Sequence, residues 1–273
     1  MTEIRKDKTY GLSLTENNSL FSAIASRYDF LNHLLSLYID KKWRRELVKW
    51  AEVHPGERIL DVCTGTGEIV IEFAKNSLVG KIVGIDSSEE MLGIAREKIR
   101  NKGLENKIEL LKGNALELPF ENGSFDIVSI GFGLRNIGDH QKGISEMVRV
   151  LKDGGRLLIL EFSPPLDNFF GKVHNFYLNT IIPTIGKILS GSDIAYQYLA
   201  ESIAGFPQPK EIMQVMQKED LKNVCCKALT GGTVYLYRGE KQALKQEQKE
   251  VLTQTEKQTF SQNIIQGDLF KNL

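Results

Sequence analysis

The chain has 273 residues, 41% of them hydrophobic and 26% charged, with 35 basic side chains against 35 acidic ones. At roughly 150 residues per domain this suggests one large or two small domains with enough apolar content for a core. The zero net charge, without a lysine or arginine block, argues against an electrostatic nucleic-acid binder.

No run approaches the ~20 apolar residues that a membrane span needs. Glu3, Arg5, Lys6, Asp7 and Lys8 stand where a signal peptide would carry its apolar stretch. A cytoplasmic protein is expected. The cysteines Cys63, Cys225 and Cys226 make no disulfide framework, and the adjacent pair would face opposite sides of a strand. His33, His54, His140 and His174 lack metal-ligand spacing, so no structural zinc is expected.

Residues 17–56 look helical and end at His54-Pro55-Gly56, with aromatics beyond a linker's need. From Glu57 short apolar runs alternate with amphipathic stretches. Arg58 to Cys63, Ile82 to Asp86, Ile108 to Leu111, Phe125 to Ile130 and Leu157 to Leu160 read as strands. Between them, Gly67 to Lys75, Ser88 to Asn101 and Asp139 to Leu151 read as helices, the second with a serine cap and acids in its first turn. This alternation means parallel βαβ units. Residues 164–220 read as mostly helical. Lys222 to Ala228 and Thr233 to Tyr237 read as a hairpin about Gly231-Gly232. The domain expectation is a cap over 1–56, a sheet domain over 57–240 with a helical insertion near 164–220, and a polar tail over 241–273, read as disordered or a solvated helix.

Asp61 to Glu68 places a glycine loop directly after the first strand, where backbone approaches a ligand closely and a helix offers its N-terminal N–H groups. A dinucleotide site needs a third glycine for close helix–strand packing, but Val70 stands there. A pyrophosphate would also be repelled by Glu68. S-adenosylmethionine instead carries a cationic sulfonium and ammonium, which suit carboxylates at Asp61 and Glu68 around Gly65, Thr66 and Gly67. Asp86, about 20 residues further on, can accept hydrogen bonds from both ribose hydroxyls. Asn114 and Ala115 can read adenine. Any one of these fits a plain strand-to-helix turn; their recurrence at successive strand ends points to a ligand site.

Three segments, Leu60 to Glu68, Gly113 to Phe120 and Gly131 to Asn136, resemble the quinone-biosynthesis C-methyltransferases of menaquinone and ubiquinone biosynthesis. Tyr28 to Asn32 with Ser36 and Trp43, Arg149 to Ser163, and Tyr198 to Pro207 are similar to further signatures of that family, so that the likeness runs over roughly residues 18–240. There are departures. Leu31 replaces a methionine, Asp40 a histidine before the tryptophan, Asp153 a proline or valine, and Gly131 a serine that contacts the cofactor in some ubiquinone-type members. The resemblance implies a class I S-adenosylmethionine-dependent methyltransferase, a Rossmann-like α/β fold with a mostly parallel seven-stranded sheet and helical caps. By position it makes Thr66, Asp86, Asn114 and Ala115 cofactor contacts.

The implied reaction moves a methyl to a ring carbon of a reduced polyprenyl quinone, with demethylmenaquinol to menaquinol as the leading expectation. Methylation of a ubiquinone-pathway benzoquinol, or of both rings, is the near alternative. A non-catalytic cofactor-binding or assembly protein is a distant one, and a nicotinamide dehydrogenase a poor one. The ring carbon becomes a good nucleophile when its neighbouring hydroxyl ionises, which costs about 4 kcal/mol for a pKa near 10 at pH 7. Arg135 is expected to carry the charge that eases this, Asn136 to orient the oxygen or a water, and Asp29 to accept the proton. The alternative for Arg135 is a salt bridge anchoring its loop, and for Asp29 a helix cap or packing corner. The apolar stretch from Phe169 to Leu189 lines a groove for the isoprenoid tail, lies on a membrane surface, or packs into the cap. The expected partner is a polyprenyl naphthoquinol. Transient contact with the inner face of a membrane and homo-oligomerisation stay open.

Overall fold

A computed structural model describes residues 33, 36, 38–165, 169–177, 180 and 193–243. Helix α1 (Asp40–Trp50) buries Asp40, Trp43 and Leu47, a spacing that puts all three on one helical face. Strand β1 (Ile59–Val62) is buried at every position. It passes through the glycine loop into α2 (Glu68–Ala74). Strand β2 (Ile82–Asp86) then leads to α3 (Glu89–Asn101). As expected, α3 is capped by the Ser88 hydroxyl, which accepts from Met91 N at 3.3 Å, with Glu89 and Glu90 in the first turn. Strands β3 (Ile108–Lys112) and β4 (Phe125–Gly131) follow. A single 3-10 turn, Leu134–Asn136, then precedes α4 (His140–Val150), whose cap is Asp139. Strand β5 (Leu151–Phe162) comes next, then α5 (Phe169–Phe176), α6 (Asp193–Ala204) and α7 (Pro209–Lys218). The chain closes on β6 (Leu221–Leu229) and β7 (Val234–Lys241). Internal contacts divide the chain into Met1–Lys241 and Gln242–Leu273, and every element named here belongs to the first unit.

The seven strands form one sheet in the order β3-β2-β1-β4-β5-β7-β6. Pairings from β3 through β5 are parallel, and β7 enters antiparallel between β5 and β6. This is the mostly parallel seven-stranded sheet with a terminal hairpin that was expected. Alternate residues serve its two faces. Leu60, Val62, Val128 and Ile130 pack towards α4 and α7, with Met147, Ile212 and Met216. Ile59, Ile82, Ile127 and Leu158 pack towards α1 and α2, with Trp43, Leu47 and Val70. Each such fully buried side chain contributes ~1.5–3 kcal/mol.

Two strands differ from their expectation, and β7 runs on past Tyr237 to Lys241 because both β5 and β6 pair with it there. Strand β5 begins at Leu151, not at Leu157, because Phe125 pairs with Leu151 before the register jumps to Ile127 with Arg156. The excess residues bulge through Gly154 at φ 75°. Asp153-Gly154-Gly155 lies between the expected helix end at Leu151 and the expected strand start at Leu157, and sheet pairing on either side takes it into the strand. The hairpin was expected to turn at Gly231-Gly232; it does so through a 3-10 turn, Thr230–Gly232, with all three φ values positive. Cys225 is exposed and Cys226 half-buried, in line with their opposite faces. Most of residues 17–39, residues 181–192 and the tail from 244 lie outside the described residues, and with them most of the expectations made there.

Candidate active site

The parallel register brings chemistry to one edge of the sheet. Asp61 pairs across with Gly84 on one side and Ser129 on the other, so β1, β2 and β4 end together. Their carboxyl ends open onto a cavity of about 330 Å³, where open α/β sheets bind ligands.

The glycine loop forms one end of this cavity. Gly65 has φ 55° and a Cβ built on it meets nothing within 4 Å, so the space before the loop is open for a ligand to approach the backbone. Gly67, at φ 82°, starts α2, and a Cβ there would crowd Ala95 at 3.1 Å. Cys63, just before the loop, also takes a left-handed φ of 54°. Gly65, Thr66, Asp86, Asn114 and Ala115 line the cavity, whereas Asp61 and Gly67 stand behind that wall. Val70 is fully buried in the core, filling the space that a third glycine would leave to a closer helix.

Two carboxylates define the electrostatics of this end. Asp86 accepts from Gly65 N at 2.8 Å through Oδ2 and from Ser88 N at 2.9 Å through Oδ1, and a carboxylate has about four lone-pair sites, enough to take a diol besides. Burial raises its pKa, against the pull of backbone N–H groups of Ser88, Gly65 and Ser87. Asp61 is 1% exposed. Its Oδ1 accepts from Ser129 Oγ at 2.7 Å, but Oδ2 has no hydrogen-bond partner among the described residues. Burial pushes its carboxyl up to about 7, in spite of the Ser129 hydroxyl. An orphaned buried carboxylate oxygen behind the wall places negative charge near the cavity when ionised, which fits a cationic ligand and fits a pyrophosphate badly. Glu68 is a different case. Lys98 Nζ sits 2.7 Å from it, so the contrast offered to a cation rests on Asp61 and Asp86.

Asn114 accepts from Leu116 N at 2.9 Å through Oδ1, holding the β3 end in a turn with its amide and Ala115 on the wall.

The other end is aromatic. Trp43, Phe132 and Phe162 form a cluster with ring centroids 4.9–6.0 Å apart. Trp43 is fixed by its Nε1–H donating to Thr230 Oγ1 at 2.8 Å. Arg135 lines this end but is only 7% exposed. Its Nη1 donates to Glu161 Oε1 and to Phe132 O, both at 2.7 Å. Glu161 is fully buried and also accepts from Arg135 N and Phe162 N. The charge of Arg135 is therefore matched by a buried carboxylate, the anchoring role weighed for it from sequence. Asn136 accepts from Tyr198 Oη at 3.1 Å, facing the same cavity. Asp29 lies outside the described residues.

A third group was missed by sequence reasoning. Asp40, 3% exposed, accepts from Ser36 Oγ at 2.8 Å and contacts His33 Nδ1 at 2.7 Å. Arg44, one helical turn on, donates to the same carboxylate. The guanidinium lies over Phe132, 5.6 Å from the ring centroid. Arg44 and Asp40 both line the cavity. Two signals were available: Asp40 stands where the resembled family has a histidine, and Asp40 and Arg44 stand four apart on a helix that presents aromatics.

The model of the ubiE/COQ5 methyltransferase family matches residues 10–241. A demethylmenaquinone methyltransferase of Deinococcus radiodurans is 42% identical over 222 residues, which are 81% of this chain and 91% of that protein. A protein of Geotalea uraniireducens named ubiquinone/menaquinone biosynthesis C-methyltransferase UbiE is 43% identical over 223 residues, with 81% and 94% covered. Among solved structures, a SAM-dependent methyltransferase of Thermotoga maritima superposes with a TM-score of 0.56 at 21% identity, covering 82% of this chain and 99% of its own. The cyclase SpnF does so with a TM-score of 0.64 at 13% identity, covering 88% and 100%. At these identities the structural likeness is one of fold, and fold alone does not fix a reaction.

Proposed function

The chain belongs to the ubiE/COQ5 methyltransferase family, a quinone C-methyltransferase of the class I fold, and we propose that it converts demethylmenaquinol to menaquinol with S-adenosylmethionine. One observation carries this reading: a single cavity joins a carboxylate-flanked glycine loop to an aromatic end with arginine and asparagine on its wall.

When bound, S-adenosylmethionine supplies an electrophilic methyl and a good leaving group. Asp61 and Asp86 favour its cationic groups, Asp86 takes the ribose hydroxyls, and Gly65, Thr66 and Gly67 let the backbone close on it. Asn114 and Ala115 receive the adenine. Trp43, Phe132 and Phe162 stack the quinol ring and exclude water from it. Because the loop and the aromatic end share one cavity, its walls would hold the ring beside the bound group and so remove the cost of bringing the two together. Arg135 and Asn136 then hold the ring hydroxyl as hydrogen-bond donors, because the Arg135 charge is already shared with Glu161. Asp29 is the proposed proton acceptor. The bound group would give up its methyl and keep the C–S electron pair on departure, and the ring's C–H proton would then pass to water.

Gly131 supports the naphthoquinol over the benzoquinol. A Cβ at this position would collide with Ile69 Cδ1, so this cavity is built without the serine found in some ubiquinone-type relatives. The reading also takes residues 1–56 as an N-terminal cap, 57–240 as the methyltransferase domain with a helical insertion near 164–220, and 241–273 as a polar tail. No helix among the described residues is long and apolar enough to cross a membrane, so the polyprenyl substrate is met at a membrane's inner face by transient contact.

The test is quinone profiling of a strain lacking the gene, with purified protein, labelled S-adenosylmethionine and each reduced quinol in parallel. Accumulated demethylmenaquinone and label in menaquinol support the reading. Label only in a benzoquinol moves it to the ubiquinone pathway, and label in neither refutes both.

A further inference from the structure

Two arginines face the aromatic end of the cavity, and they differ in what the protein has already done with their donors. Arg135 gives Nη1 to a fully buried carboxylate and to a carbonyl. Arg44 gives one Nη1–H to Asp40 and makes no other hydrogen bond among the described residues. A guanidinium carries five N–H donors in a rigid fork, so most of the Arg44 fork is unspent while its side chain, 11% exposed, lines the cavity over Phe132.

The carboxylate beneath it is held so that it cannot follow a ligand. Asp40 takes the Ser36 hydroxyl on Oδ1, and His33 and Arg44 on Oδ2. These partners fix Asp40 as an anion, and Asp40 fixes Arg44 against the ring wall. Desolvation works against ionisation of Asp40, but Arg44, Ser36 and His33 together hold its pKa below the ordinary carboxylate value. The charged groups facing Arg44 are Asp40 on its own helix and Asp61 on β1, whose carboxyl feels the Arg44 charge. Behind Phe132 the Arg135–Glu161 pair is neutral as a unit. His33 adds a second positive charge to the cluster when protonated.

Resting on the naphthoquinol reading above, we infer that Arg44 is a further catalytic residue, the cation that receives the ionised ring hydroxyl, with Asp40, Ser36 and His33 as its positioning residues. The hydroxyl proton leaves to water, the first carrier towards the acceptor proposed above, and the oxyanion takes the unspent Arg44 donors. The activated ring carbon then attacks, and loss of its own proton restores the aromatic ring. Arg135 and Asn136 orient the ring; both arginines are paired with a buried carboxylate, and Arg44 differs in the donors it still has for the oxyanion.

The experiment compares the full-length protein with Arg44→Gln and Arg44→Lys across pH 6.5–9.5. If Arg44 lowers the bound hydroxyl's pKa by about 1.5 units, Arg44→Gln loses about thirtyfold in kcat at pH 7 and recovers to within about fourfold at pH 9.5. Arg44→Lys keeps the charge and most of kcat. KM for S-adenosylmethionine stays within about twofold. A loss that is equal at every pH, or no loss, overturns the inference. A readout without turnover uses 1-naphthol in the cavity. Its ultraviolet titration midpoint rises in Arg44→Gln and not in Arg44→Lys, and equal midpoints in all three overturn the assignment. Should Arg44→Gln fail to fold, the double variant Asp40→Asn with Arg44→Gln removes both charges and must show the same alkaline recovery. If the wild type methylates neither quinol, the functional reading fails, while the naphthol titration still decides on Arg44.

Discussion

Replacing Asp61 by asparagine keeps the side chain's shape and removes its charge, and the result is expected to depend steeply on pH. In the unfolded chain an aspartate titrates near 3.9; in the fold burial pushes Asp61 up to about 7. A carboxyl raised in the folded state contributes stability that is fully present below about pH 4 and is lost as pH rises through 7. About three pKa units at ~1.4 kcal/mol each make the loss about 4 kcal/mol by pH 8, of which ~1.5 kcal/mol is already lost at pH 5. The asparagine is neutral throughout, and its amide has the Thr64 hydroxyl, buried without a partner, within the same environment. Without cofactor, Asp61→Asn should therefore gain on the wild type by about 3 kcal/mol between pH 5 and pH 8. In urea denaturation that is roughly 1 M in midpoint. The penalty falls on the cofactor. S-adenosylmethionine affinity should rise with pH through 7 in the wild type, with proton release on binding, and be about tenfold weaker and flat with pH in the variant. Titration calorimetry in two buffers of different ionisation enthalpy measures both. A stability gap between the two proteins that is the same at pH 5 and pH 8 would refute the reasoning.

Asp86→Ala removes the proposed acceptor of two ribose hydrogen bonds, each worth ~1.5–3 kcal/mol for a charged acceptor, and a support of the Gly65 backbone. Calorimetry should show cofactor binding weakened at least about a hundredfold, and a wild-type Kd would contradict the ribose assignment. Arg135→Ala should lose turnover at least about a hundredfold while cofactor Kd stays within about threefold; unchanged turnover removes Arg135 from the site. It should also lose about 3–5 kcal/mol of stability, read by denaturation, because Glu161 is left buried and unpaired. Gly131→Ser forces Ile69 to move and should lower stability by about 1–3 kcal/mol. Adding Ile69→Val should recover part of that loss, and equal melting of the two variants would show that Ile69 does not fill the space.

The placement of the residues proposed for the cofactor was legible because each lies beside the strand that presents it. The glycine loop follows β1, Asp86 closes β2 and Asn114 follows β3, so strand order and residue type were enough. The ring half was not, because its pairings are distant in sequence. Nothing local in Arg135 announces Glu161, an acid ending an apolar run, and Trp43 meets Thr230 from the far end of the chain. Arg44 was visible only as one basic residue among several on α1. The fold followed the same division. The βαβ units were read from alternation, whereas the early start of β5 depends on Phe125 pairing with Leu151 across a bulge.

The hydrogen bond from Trp43 to Thr230 spans 187 positions, and this constrains the order in which the protein can acquire its parts as it leaves the ribosome. The loop, Asp86 and Asn114 are all made early and can gather once β4 is in place. The aromatic wall has to wait for the turn before β7, the strand that is synthesised last and seated inside the sheet. A nascent chain halted before that turn would have the glycine loop, Asp86 and Asn114 in place while Trp43 still lacked its Thr230 partner.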